Sequence, residues 1–116
     1  MVLVRAVWLF VSNAVWRLGG LRAAARVLVR ALGSKDETTR TIAGMLLVRA
    51  GQKSEPLLQE ELDKRENLPV VLTVIGSIGD PKFEAQLRRF SHDSDPDVAK
   101  AAKDALHLIE AHRTLA

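Results

Sequence analysis

The chain has 116 residues, of which 47% are apolar and 27% charged, with a net charge of +3, which suits one globular domain and leaves no room for a second of ordinary size. Cysteine is absent, so disulfides, thiolate metal sites and a cysteine nucleophile are excluded, and a reducing, cytoplasmic setting is expected. Only 4% of residues are aromatic, which argues for alanine- and leucine-rich helices over a β-sandwich.

The N-terminal stretch MVLVRAVWLFVSNAVWRLGG is apolar, and Ser12-Asn13-Ala14 gives it the look of a cleavable leader or an anchor. Length argues otherwise. Only residues 6–16 run uninterrupted between Arg5 and Arg17, roughly 16 Å of helix against about 30 Å of hydrocarbon. Residues 1–20 are therefore expected to form a capping helix anchored by Trp8 and Trp16, with a membrane-interface segment over residues 2–18 as the alternative.

Glycines then punctuate the chain. Gly19, Gly51 and Gly79 each close an apolar run, as expected of C-terminal caps that adopt a left-handed conformation. After each comes a more polar helical segment, at 21–32, 56–65 and 82–91, with Pro56 and Pro81 near first turns, where a missing amide costs little. A polar turn and a more apolar second helix follow, at 37–50, 68–78 and 97–112. Two helices per period of about 30 residues predict an all-α fold, an α-solenoid of antiparallel helix pairs with about seven helices. It is read as a single domain over 1–116, with repeats at 21–51, 52–79 and 80–112.

The run Asp95-Pro96-Asp97-Val98 with Ala101-Ala102 and Ala105-Leu106, and its weaker copy Asp36-Glu37-Thr38-Thr39 with Ile42-Ala43 and Leu46-Leu47, resembles the HEAT repeat family, most closely its short HEAT-like subgroup, also found in phycobilin lyases. The resemblance covers about residues 21–112 and departs from the pattern at Arg65-Glu66-Asn67-Leu68-Pro69, in place of the usual turn. It implies a binding surface on the concave face lined by the second helices.

Chemistry is sparse. Asp93, Asp95, Asp97 and Asp104 fall at the ligand spacing of an EF-hand calcium loop, but Val98 stands where the loop needs glycine, and Pro96 stiffens it. A helix start accounts for the same residues: Asp95 as N-cap, Pro96 at the first helical position and Asp97 at the positive end of the dipole. His107 and His112 are five apart and diverge around a helix. The His-Glu dipeptides of iron-bearing HEAT-like hydroxylases do not occur, and the Gly19-Gly20 pair lacks phosphate-loop spacing. No catalytic residue, metal or cofactor is expected.

Residues 1–50 hold eight Lys/Arg against two Asp/Glu, a net +6, and residues 51–116 hold nine against twelve, a net −3. Arg22, Arg26 and Arg30 form a ridge at i, i+4 and i+8, a pattern that suits phosphates of nucleic acid or lipid but is read as a solvated helix face, since no aromatic platform accompanies it and the C-terminal half is acidic. Aligning the second helices puts Thr41, Gly44, Met45 and Val48 in register with Pro69, Leu72, Thr73 and Gly76, and with Lys100, Lys103, Asp104 and His107. This predicts an apolar partner groove at Met45, Val48, Leu72 and Thr73 flanked by Lys100, Lys103 and His107, fit for an amphipathic helix with an acidic edge. The alternative is that these positions are core and the register is off by one. The expected function is a non-catalytic protein-interaction scaffold or adaptor; the alternatives are an accessory subunit of an enzyme such as a phycobilin lyase, and a membrane-associated adaptor held by residues 2–18.

Overall fold

The computed structural model describes the backbone of residues 22–115 and the side chains of residues 26–115. The N-terminal helix expected over residues 2–18, with Trp8, Trp16 and the cap at Gly19, lies outside the described residues. Among the described residues every regular element is helical: α1 (Arg22–Ala31), α2 (Glu37–Ala50), α3 (Glu55–Lys64), α4 (Leu68–Ile78), α5 (Glu84–Phe90) and α6 (Pro96–Leu115), with 3-10 turns at Gly51–Ser54 and Pro81–Phe83. Contacts gather into two compact units that divide between Glu60 and Glu61.

In the first unit α1 packs on α2. Ala23, Ala24 and Ala25 supply helix propensity, and Leu28, Val29 and Leu32 are buried while Arg26 and Arg30 are exposed. Asp36 then caps α2, its carboxylate accepting from the Thr39 amide at 3.1 Å and from the Thr39 hydroxyl. This satisfies one of the amides that every helix start leaves without an intrahelical partner. Thr39, Ala43, Leu46 and Leu47 form the buried stripe of α2, at the i, i+4, i+7, i+8 spacing of one helix face. Gly51 ends the helix with φ +58° and its amide on the Leu47 and Val48 carbonyls. Buried Ser54 donates to the carbonyls of Leu47 (3.1 Å) and Gly51 (2.7 Å), tying the 3-10 turn back onto α2.

In the second unit α4 and α5 both pack on α6. The turn into α4 departs from the repeat pattern in the sequence, and its backbone shows why: Arg65 and Asn67 both take left-handed conformations, φ +56° and +52°. The Glu66 amide reaches back to the Glu61 carbonyl at 3.2 Å, closing the end of α3 as a C-cap motif does. Helix α4 buries Leu68, Val71, Leu72, Val74, Ile75 and Gly76 and leaves Pro69 and Thr73 exposed. At about 1.5–3 kcal/mol for each large aliphatic side chain buried, this helix dominates the core of its unit. Gly79 closes it in the left-handed region, φ +80°, with its amide on the Ile75 carbonyl.

Asp95 accepts from the Asp97 amide at 2.9 Å and Pro96 opens α6, which is the expected helix start. Val98, Ala102, Ala105 and Ile109 face the core, whereas Leu108 and Leu115 near the C-terminal end are 39% and 88% exposed. Among the described residues no helix is long and apolar enough to cross a membrane.

Candidate functional site

Helices α4 and α6 leave an open groove between their N-terminal halves. Pro69, Val70 and Thr73 line it from α4, and Asp97, Lys100, Ala101 and Asp104 line it from α6, around a volume of about 390 Å³. The groove exists because α4 turns its bulk toward the core, which leaves the i, i+4 pair Pro69 and Thr73 exposed with half-buried Val70 beside them. The Thr73 hydroxyl donates to the Pro69 carbonyl at 2.9 Å, which leaves that wall with no free hydrogen-bond donor from threonine.

Charge on the opposite wall is partly cancelled. Lys100 Nζ lies 3.0 Å from Asp104 Oδ2, and Asp97 sits one turn before Lys100. Two carboxylates, Asp97 and Asp104, therefore stand against one ammonium on this wall. Lys103 and His107 are exposed on α6 but lie outside the residues lining the groove.

Leu72 requires correction. It is completely buried and takes no part in an open surface; neighbouring residues on a helix are about 100° apart, so exposed Thr73 and buried Leu72 are on different faces. Gly76, in the same register, is buried as well. In the first unit, Thr41 and Met45 are exposed, Met45 by 60%, and Val48 is half-buried. Of the aligned positions, all four on α6 are exposed, but only Thr41 and Met45 on α2 and Pro69 and Thr73 on α4.

Three of the four carboxylates at calcium-loop spacing, Asp93, Asp95 and Asp104, are engaged within the chain. Asp93 Oδ1 accepts from the Arg65 guanidinium at 2.8 Å and Asp93 Oδ2 from the Asp95 amide at 3.0 Å. These bonds, that from Arg65 foremost, hold the Asp93 carboxyl below the usual aspartate range. The Arg65 guanidinium also lies 5.9 Å from the centre of the Phe90 ring, within cation–π range. Sequence spacing gives no sign of this cluster, whose members come from the turn before α4 and from the end of α5 and the turn after it. Among the described residues no group of three or more His, Asp or Glu is placed to hold a metal ion.

Of the arginine ridge, Arg26 and Arg30 are exposed one turn apart on α1, and Arg22 begins that helix a turn earlier. The chain matches no protein-family model, no curated protein and no solved structure.

Proposed function

We propose that the chain is a non-catalytic interaction module built from HEAT-like helical pairs in an α-solenoid, and that it binds a partner segment along the α4–α6 groove. The observation that carries this reading is the groove itself: exposed Pro69 and Thr73 on α4 and Lys100, Ala101 and Asp104 on α6 line one open trough. At about 390 Å³ and open to solvent, it fits a few side chains of a docked helix better than an enclosed small molecule, which a protein usually surrounds on most sides. The recurring short helix, polar turn and longer helix at 22–50 and 84–115 support the repeat reading.

The test fills the groove with two long cations, Thr73→Arg and Ala101→Arg. Proteins captured by the intact chain and identified by mass spectrometry are compared with those captured by this variant, after circular dichroism confirms that it stays helical. A defined protein lost with the groove variant and kept by Arg26→Ala/Arg30→Ala supports the proposal. Capture that is unchanged by filling the groove removes it.

A further inference from the structure

Helix α6 carries two stripes at the alternating spacing of four and three residues that marks a seam between packed helices. One, Val98, Ala102, Ala105 and Ile109, is buried in its own unit. The other starts one residue earlier, about 100° around the helix: Asp97, Ala101, Asp104, Leu108, Ala111 and Leu115. None of these six is buried, and Leu108 and Leu115 are the large aliphatic side chains that the described second unit leaves exposed. The outer seam begins in the α4–α6 groove, where Asp97, Ala101 and Asp104 line the trough, and it runs on along the same face for about three further turns.

Its two ends differ in charge. Asp97 has no ion-pair partner among the described residues, and the Asp104 carboxylate is held by Lys100. Beyond Asp104 the seam is Leu108, Ala111 and Leu115 and carries no charge. Lys103 lies about 120° around the helix from Asp97, off the seam.

We infer, resting on the reading of the groove as a partner site, that its occupant is one amphipathic helix of another protein, with a Lys or Arg against Asp97 and aliphatic residues over Leu108, Ala111 and Leu115. The spacing selects a helix, since an extended segment repeats every second residue and falls out of step with a seam of threes and fours. The charge selects its chemistry: an apolar partner laid over Asp97 strands a carboxylate without water or a cation, and a basic residue removes that cost. A second copy of this chain does not match. Parallel pairing of α6 with itself sets Asp97 and Asp104 against their own copies, and antiparallel pairing over the whole seam sets Asp97 against Leu115 and Asp104 against Leu108. An anionic bilayer does not match either, because two carboxylates share the face with the leucines.

Selection of helices on the intact chain tests this. The probe is a displayed library of designed helices of about 20 residues, enough to span the seam, with their own seam positions varied among Leu, Ala, Lys and Glu. The selected helices are expected to carry Leu at one end of their seam and Lys at the other. One of them, made as a labelled peptide, should bind Leu108→Ser/Leu115→Ser about 100-fold more weakly than the wild type. Asp97→Lys should weaken it about tenfold, and the peptide with its Lys replaced by Glu should prefer Asp97→Lys to the wild type. Circular dichroism confirms that the variants stay helical, and Arg89→Ala, on α5, should bind as the wild type does.

Selected helices without a charge preference, or an Asp97→Lys variant that does not reverse it, overturn the proposal. So does a dimer in sedimentation that Leu108→Ser/Leu115→Ser dissolves, which gives the seam to a second copy, or flotation with anionic vesicles that the same variant loses. A library that yields no helix overturns it as well. The interaction-module proposal falls separately, on protein capture that Thr73→Arg/Ala101→Arg leaves unchanged. Capture lost in that variant but indifferent to Asp97, Leu108 and Leu115 keeps the module and removes this occupant.

Discussion

The backbone of α4 at Gly76 runs so close to Ala105 of α6 that a Cβ added at position 76 would lie 2.6 Å from the Ala105 Cα and 2.8 Å from its Cβ. The obstruction is backbone, which cannot rotate away as a long side chain can. Gly76 interrupts an otherwise apolar helix at a cost of about 1 kcal/mol in helix propensity, and the close approach of α4 to α6 is what that cost permits.

Gly76→Ala should therefore destabilise the protein despite the gain in propensity, by about 1–3 kcal/mol, the usual range for an overpacked core. For a chain of this size this lowers Tm by several degrees for each kcal/mol. Ala105→Gly in the same chain should give incomplete rescue, because the Ala105 Cα remains in place. A Gly76→Ala protein melting at or above the wild-type temperature would show that the two helices separate at little cost.

At Gly79 two effects combine. Its φ of +80° is left-handed, and an added Cβ would meet the His112 ring at 2.7 Å. The backbone part costs a non-glycine residue about 1–2 kcal/mol, and the steric part depends on a side chain that can move. Gly79→Ala should lower stability by at least the first amount, and His112→Ala combined with it should recover only the second. A double-mutant cycle in denaturant measures the division.

The cap at Asp95 gives a third expectation. Asp95→Ala removes the acceptor of the Asp97 amide and should cost about 1 kcal/mol, whereas Asp95→Asn should cost a few tenths. Equal chemical-denaturation midpoints for all three proteins would contradict the helix start at Pro96.

Calcium should not bind this turn. Asp93 is held by Arg65 and the Asp95 amide, and Asp95 by its capping bond, so a cation would have to break these contacts, and Val98 denies it the glycine turn. Isothermal calorimetry should show no heat of binding at micromolar calcium. Saturable binding abolished by Asp93→Ala would contradict this.

The Arg65–Asp93 pair predicts a pH dependence of defined sign. A carboxyl whose folded pKa is depressed stabilises the protein above its ordinary titration range, and that stability is lost as pH falls through the lower folded value. Stability should thus decline from the ordinary aspartate range downward, and Arg65→Ala should flatten the decline. Carboxyl-carbon NMR should show Asp93 titrating at higher pH in Arg65→Ala than in the wild type. Identical titrations in the two proteins would mean that Arg65 does not set the Asp93 environment.

The places where helices begin and end are legible in the residues alone. Spans 37–50 and 68–78 are reproduced to the residue, and the caps at Gly51, Gly79 and Asp95 stand where glycine and aspartate predict them. These are local matters: a cap or a turn is decided by hydrogen bonds reaching three to five residues along the chain. The exposed pairs Pro69 with Thr73 and Lys100 with Asp104 also emerge from helical register.

Tertiary structure alone decided which side of α4 is buried. A helix apolar on nearly every side has no face that its own sequence distinguishes, so Leu72 and Gly76 turn inward because α6 presents small Ala105 opposite Gly76. The Arg65–Asp93 contact, made across 28 residues, was undetermined for the same reason. Long-range pairing depends on how helices pack against one another, and hydrophobic periodicity specifies only that they pack.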